Sequence, residues 1–275
     1  MRSILGKARR FFFKKFQMAA ATRRYLATPA IAENVLPMKT NFLIIVPIDI
    51  GMLALQFQSL SKIDDAFDYL VLDTSRTDDQ AAATREFCGV HGISYVRQPR
   101  NPGLDASLKH GFSLNWAFYN IVMRLKPEYF GFLESDVIVI DKGSFLKPWA
   151  GKPFWGVKAP SFKKGDVLWR LWPGFCFFRR DFYKDKPFNF LPIKYLDTAG
   201  GNFSFLKNED TSHLIPFSAV EIHTCTGDEN GAYQSLRNII HLVGILSMSD
   251  DPVRREGIRK KREMAERIVF EGSKN

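Results

Sequence analysis

The alternation of short apolar runs with helical stretches from residue 41 onward constrains this chain most. "NFLIIVPI" (41–48) reads as a buried strand, and a helix is expected from about Met52 to Ser61. "FDYLVLDTS" (67–75) is a second strand ending in Asp73, followed by "TDDQAAATREFCGVHG" (77–92), a helix that opens on acidic residues and stops near Gly92. "ISYVRQP" supplies a third strand, and the amphipathic "SLKHGFSLNWAFYNIVMRL" (107–125) runs to the boundary set by Pro127. Strands alternating with helices imply parallel βαβ units, and so an α/β fold whose central sheet is covered on both faces.

"YFGFLESDVIVID" (129–141) extends this series as a fourth strand, but it carries acids where a core strand has no use for them. Desolvating an unpaired carboxylate is costly, so Glu134 and Asp136 need partners. Two positions apart on an extended strand, they would point the same way, with Ser135 opposite. Paired oxygen ligands suit a hard divalent cation, Mn²⁺ or Mg²⁺, of the kind that also bridges substrate phosphates. Ion pairing with nearby lysines is the competing reading.

In an open parallel sheet, ligands bind in the crevice beyond the C-terminal strand ends. That rule selects Pro47 and Asp49 after the first strand, Asp73, Thr74 and Ser75 after the second, Gln98 to Asn101 after the third, and Glu134 to Asp136 at the fourth. For any single one of these, helix capping is the alternative. Beyond them, "PFWGVK" (153–158) and "WPGFCFFRR" (172–180) read as further strands flanking the Lys-rich "APSFKKGDVLWRL", whereas residues 181–232 are rich in turn signals.

The 39 basic against 29 acidic residues leave a net charge of +10, which favours anionic partners: nucleotide phosphates, acidic lipid surfaces or nucleic acid. Residues 1–26 interleave Arg and Lys with Ile4, Leu5, Phe11, Phe12, Phe13, Phe16 and Met18 and contain no acid. On a helix this composition suits the surface of an anionic membrane, and a helix or basic arm packed on the domain is the alternative. Cys88, Cys176 and Cys225 are far apart, which argues against disulfides and cysteine zinc sites and for a reducing, cytoplasmic setting. No apolar window approaches the length of a membrane span, so the chain is expected to be soluble or peripheral. Phosphate-loop and nucleophile-elbow signatures are absent.

In their order, "LIIVPI", "LVLDTSRTDD", "NPG...SLKHGFSLNWAF" and "YFGFLESDVIVID" resemble the landmarks of the GT-A glycosyltransferases, as seen in family 2 and its relatives, over about residues 41–180. The resemblance implies a Rossmann-like, mostly parallel central sheet flanked by helices, with a less regular acceptor-side C-terminal half. Together with the composition, it divides the chain into a basic, aromatic N-terminal segment (1–40), a catalytic domain (41–248, its nucleotide-sugar half ending at 141) and a charged C-terminal helix or tail (249–275), read from its charges as a solvated helix with a basic face. It also implies transfer of a sugar from a nucleotide-diphosphate donor to a hydroxyl acceptor, a glycan or lipid-linked precursor, assisted by Mn²⁺ or Mg²⁺.

Carried over by position, Asp73 would contact the nucleoside and Pro47 and Asp49 would line its pocket, with Ser75, Asn101 and Ser135 along the same crevice. Trp172 and Gly174 would approach the donor sugar or the acceptor, and core packing is the alternative for Trp172. Asp136 would be the metal acid of the D-x-D signature, with Glu134 in place of its first Asp. A late histidine, His241 in "NIIHLVG" ahead of His223, would complete the ligands. Asp197 in "DTAGG", then Asp228 and Glu229 in "TGDENG", are the candidate general bases, although both stretches also read as turns. Lys163, Lys164 and Arg170, on an expected mobile loop, would close positive charge over the donor. A sugar-phosphate nucleotidyltransferase is disfavoured because "PIDIGMLALQ" lacks a Gly-rich basic loop. A non-enzymatic nucleic-acid or membrane binder is disfavoured because no nucleic-acid motif is present.

Overall fold

The computed structural model describes residues 25–27, 31–34, 41–47, 49–103, 105–163, 165, 167–244 and 252–271. The basic segment before Tyr25, expected to be helical, and Lys164 lie outside the described residues. Ile31–Asn34, which precedes the catalytic domain in the expected division, forms a strand, β1.

The expected strands and helices follow in order: β2 (Asn41–Val46), α1 (Ile50–Leu60), β3 (Asp68–Asp73), α2 (Asp78–Val90), β4 (Ser94–Arg97), α3 (Ala106–Ala117) and β5 (Tyr129–Glu134). Each helix starts on a side-chain cap: Asp49 Oδ1 accepts from Met52 N–H, Thr77 Oγ1 from Gln80 N–H and Asp105 Oδ1 from Leu108 N–H. Strands β4, β3, β2 and β5 are parallel in that spatial order, because each crossover runs through a helix. The chain therefore reverses its direction of travel across the sheet between β2 and β5.

The second half adds β7 (Phe154–Pro160), β8 (Trp169–Arg179) and β9 (Ile215–Pro216) beside β5, giving an eight-stranded sheet ordered β1-β4-β3-β2-β5-β8-β7-β9. Strand β8 runs antiparallel to both β5 and β7, and a short hairpin loop joins it to β7. The α/β architecture with a Rossmann-like parallel core is thus present, with antiparallel strands added at its flanks.

Among the described residues, many of the phenylalanines pack on the two faces of the sheet. Phe118, Phe130, Phe132, Phe178, Phe188 and Phe190 build one core under α3. Trp149, Trp155, Phe145, Phe175 and Phe177 join Leu43, Ile45 and Val71 on the opposite face.

"YFGFLESDVIVID" is not one strand. β5 ends at Glu134, Ser135 and Asp136 turn, and β6 (Val137–Val139) belongs to a second sheet ordered β10-β11-β12-β6. That sheet is completed by β10 (Glu221–Thr224), β11 (Ala232–Leu236) and β12 (Ile239–His241), the last two forming a hairpin within "YQSLRNIIHLVG". The C-terminal helix α4 (Pro252–Glu271), expected to be solvated, instead docks one face. Ala265 is buried, and Ile258, Met264, Ile268 and Val269 pack against Met52, Leu55, Ile138, Ile240 and Leu242. Among the described residues, no helix is long and apolar enough to cross a membrane.

Candidate active site

The split of the acidic strand is what builds the site. Val46 and Glu134 are the last paired residues of β2 and β5, so Glu134 stands at the strand ends where the sheet order reverses. Gln56 of α1 donates from Nε2 to the Glu134 carbonyl at 2.6 Å and to the Val137 carbonyl at 2.9 Å, satisfying backbone on both sides of the turn. Strand β12 then pairs with β6 in the register His241↔Val137, and Leu242 N–H donates to the Asp136 carbonyl at 2.9 Å. The two sheets thereby carry His241 to the acids.

One ligand atom from each of Glu134, Asp136 and His241 lies within 4.8 Å of the others. His241 Nε2 is 3.5 Å from Asp136 Oδ2 and 3.9 Å from Glu134 Oε2. Its Nδ1–H donates to Gln234 Oε1 at 3.0 Å; an amide oxygen only accepts, so the tautomer leaves Nε2 as the atom facing the carboxylates. Asp136 is almost wholly buried, and its Oδ1 has no hydrogen-bond partner. A buried carboxylate oxygen left unpaired is a cost that a bound cation would remove, and two carboxylates with one imidazole suit Mn²⁺ or Mg²⁺.

A second tier of groups surrounds these three. His110 of α3 places Nδ1 3.3 Å from Glu134 Oε1. Arg170 donates to the Thr198 carbonyl at 2.9 Å and stands 3.7 Å from Asp197 Oδ2. Trp172 lays its ring 4.7 Å from that of His241, centroid to centroid. Gly174 is required by this crowding: a Cβ there would run into the Trp172 ring and come within 2.6 Å of Glu134 Oε2.

The electrostatics follow from burial and proximity. Burial, reinforced by Asp136, pushes the Glu134 carboxyl up to about 7, while His241 and Arg170 pull the other way. Burial pushes His110 down to about 4 despite Asp136 and Asp197, so its imidazole is neutral near pH 7. For His241, burial opposes the charged form, but the Asp136 and Glu134 carboxylates outweigh it and raise its pKa. Burial alone would raise Asp197, yet bonds from Ser107 and the Thr198 N–H, with Arg170, hold it below the ordinary carboxylate range. Burial lowers Arg170 against the attraction of Asp197 and Glu134.

The other sequence candidates fall in three groups. Asp197 joins the cluster: its charge is felt at Glu134 and His110. Ser135 is buried in the turn between the acids, and Pro47 is half-buried after β2. Asp73, Ser75 and Asn101 sit at strand ends but are already engaged. Asp73 is fully buried and accepts from Ser75 N–H at 2.8 Å and Tyr95 O–H at 2.6 Å. Asn101 bonds the Lys109 carbonyl, Ser113 Oγ and Gly103 N–H, fixing the loop before α3. Asp49 both caps α1 and pairs with Arg262 of α4 at 2.5 Å.

Asp228 and His223 are not brought to the acids. Asp228 is exposed on the β10–β11 turn, bonding Thr226, Asn230 and Gly231, and His223 bonds Ser235 Oγ at 2.7 Å. Glu229 is exposed on the same turn. Arg170 lies within β8 rather than on a mobile loop, its side chain 13% exposed. Sequence reasoning assigned no role to His110, Gln234 or Gln56. His110 had a signal: it lies early in the helix after the third strand, at the crevice. Gln56 and Gln234 had none, since their roles depend on two sheets meeting. A surface cavity of about 460 Å³ lies elsewhere, lined by residues of α1, α2 and α4 including Phe57, Phe87 and His91, and touches none of these groups.

No protein-family model and no curated protein matches the sequence. Solved structures do resemble the chain. A mannosyltransferase from Pyrobaculum calidifontis, in complex with GDP-Man and Mn²⁺, is similar over 95% of this chain and 82% of its own, at 12% identity and a TM-score of 0.45. The galactosyltransferase LgtC, in complex with donor and acceptor sugar analogs, is similar over 85% of this chain and 97% of its own, at 13% identity and 0.44. S. aureus TarS is similar over 55% of this chain, at 16% identity and 0.36, and the match spans only 30% of TarS. All three scores are below 0.5, so the functional reading stands on the geometry of this chain.

Proposed function

We propose that this chain is a glycosyltransferase of the GT-A type that moves a sugar from a nucleotide-diphosphate donor to a hydroxyl acceptor, assisted by Mn²⁺ or Mg²⁺. The observation that carries the reading is the convergence of Glu134, Asp136 and His241 at the strand-order reversal, with a buried Asp136 oxygen left unpaired. Glu134, Asp136 and His241 would hold the cation. When bound, the metal supplies Lewis-acid stabilisation of the charge that builds on the departing diphosphate.

The remaining roles belong to side chains of this chain. Arg170, fixed by the Thr198 carbonyl, adds positive charge facing the same space. Asp197, held ionised by Ser107, Thr198 and Arg170, would accept the acceptor's hydroxyl proton if the transfer is inverting. Trp172, against His241, offers an aromatic face to a sugar ring. The nucleoside would lie along Pro47, Asp49, Asp73, Ser75, Asn101 and Ser135. Asp73 has both oxygens already bonded, so it would use remaining lone pairs or hold Ser75 in place. A glycan or lipid-linked precursor is the acceptor class, and the basic N-terminal segment makes peripheral membrane association part of the reading.

The test is calorimetric titration of a set of nucleotide sugars with and without Mn²⁺, on wild type and Asp136→Ala. Binding that requires Mn²⁺ in the wild type and disappears in the variant is expected. Equal metal-dependent binding by both would remove Asp136 from the metal site and leave the cluster a buried ion pair of His241 with its acids.

A further inference from the structure

The loop joining β7 to β8 and the turn at Lys194 and Tyr195 form one protrusion. Phe162 N–H donates to the Tyr195 carbonyl at 3.1 Å, Ser161 Oγ to the same carbonyl at 3.2 Å, and Ser161 N–H to the Leu168 carbonyl at 3.1 Å. Ile193 and Leu196 exchange backbone bonds, and Tyr195 takes a left-handed conformation, φ 69°, at the apex of the turn. A non-glycine residue held in that region needs surroundings that fix it, and these backbone bonds supply them.

What the described residues of these turns display is apolar and cationic. Phe162 is 73% exposed and Val167 84%, with Ile193 and Tyr195 also exposed. Lys163 and Lys194 each place Nζ over the Tyr195 ring, at 5.4 and 4.9 Å. Elsewhere, exposed Val90, Ile222 and Phe270 lie on separate elements. Four exposed apolar groups on one projection, flanked by lysines, depart from an ordinary solvated surface.

We propose that this protrusion is a contact surface for an anionic lipid bilayer. Phe162 and Val167 enter the headgroup boundary, the Tyr195 ring sits at the depth aromatic residues favour, and Lys163 and Lys194 meet lipid phosphates. The net charge of +10 supports approach to such a surface. The placement also matters. Arg170 follows the hairpin tip and Asp197 follows the Tyr195 turn, and these two are 3.7 Å apart at the active site. A chain seated by this protrusion has its proton-accepting carboxylate near the membrane plane, where the hydroxyl of a lipid-linked acceptor is found. The bilayer contact stands on the patch alone, and its link to the acceptor rests on the proposed transferase reading.

The test uses the full chain and phosphatidylcholine vesicles with and without phosphatidylglycerol. In Phe162→Trp, bromine-labelled acyl chains are expected to quench fluorescence beyond the wild-type signal and beyond an Ile222→Trp control. The doubly substituted Phe162→Asp, Val167→Asp chain is expected to partition about tenfold or more weakly, the cost of losing two exposed apolar anchors. Three results would overturn the proposal: no partitioning of the wild type, partitioning without excess quenching in Phe162→Trp, or self-association that the double substitution abolishes. Nucleotide-sugar calorimetry on the same preparation separates the two readings. Quenching without nucleotide-sugar binding leaves the bilayer contact and removes the acceptor link, whereas nucleotide-sugar binding without quenching removes the bilayer contact and leaves the transferase reading.

Discussion

His241 Nε2 stands 3.5 Å from Asp136 Oδ2 because β12 pairs with β6 in the register that sets His241 opposite Val137. A one-residue slip in that pairing would turn the imidazole to the other face of the small sheet. The late histidine therefore reaches the acids through backbone pairing.

Asp136 is expected to oppose stability to function. Its Oδ1 is buried without a partner, so Asp136→Asn, which removes the charge, should leave the metal-free melting temperature unchanged or raise it. The same substitution should abolish the rise that Mn²⁺ produces in the wild type. Thermal unfolding of both proteins with and without Mn²⁺ checks this. A large drop without metal would mark Asp136 as a structural residue.

Gly174→Ala should fail for steric reasons at the same place. The added methyl meets the Trp172 ring and Glu134 Oε2, and overpacking of this kind costs about 1–3 kcal/mol. Because Glu134 must shift, Mn²⁺ affinity should fall as well, which denaturant unfolding paired with metal titration measures. Lost stability at full Mn²⁺ affinity would place the methyl's strain away from the acid.

Asp49 separates capping from ligand binding. Asp49→Ala loses the bond to Met52 N–H and should cost about 1 kcal/mol, whereas Asp49→Asn keeps a competent cap and loses only the half-exposed pair with Arg262. Equilibrium unfolding ranks the two. If Asp49→Asn preserves stability but weakens nucleotide binding in calorimetry, the side chain also serves the donor.

The thiols should differ in reactivity. Burial, with Asp73 adding, pushes the Cys88 thiol up to about 12, and burial raises Cys176 as well, so neither forms thiolate at pH 8. Cys225 is partly exposed. Ellman's reagent at pH 8 should therefore titrate one thiol in the native chain and all three after denaturation. Fast reaction of a second thiol in the native state would show that the core around Cys88 or Cys176 opens.

The parallel core was legible because it rests on local patterns. Leu43, Ile44 and Ile45 are wholly buried in β2, as a continuous apolar run predicts, and Asp49 caps α1, the alternative its position after the first strand offered. Glu134 and Asp136 were legible as a candidate site because charge inside an apolar run is costly. Arg170 was misplaced on a loop because β8 is longer than its apolar run, extending back to Trp169 along its pairing with β7. The docking of α4 was hidden by its charges, yet one of them, Lys261, is itself buried and donates to the Val243 carbonyl, and Arg262 pairs with Asp49, while Ala265 and its neighbours supply the apolar contact.

By itself, the sequence determined the alternating strands and helices, the crevice at the strand ends and the demand of two acids for a partner. These follow from periodicity and desolvation, which act over a few residues. Only the tertiary structure decided that the acidic stretch breaks between two sheets, that His241 rather than His223 meets it, and that His110, Arg170 and Asp197 surround it. The reason is that strand pairing between distant segments sets which side chains converge, and no local pattern encodes a register between partners so far apart in the chain.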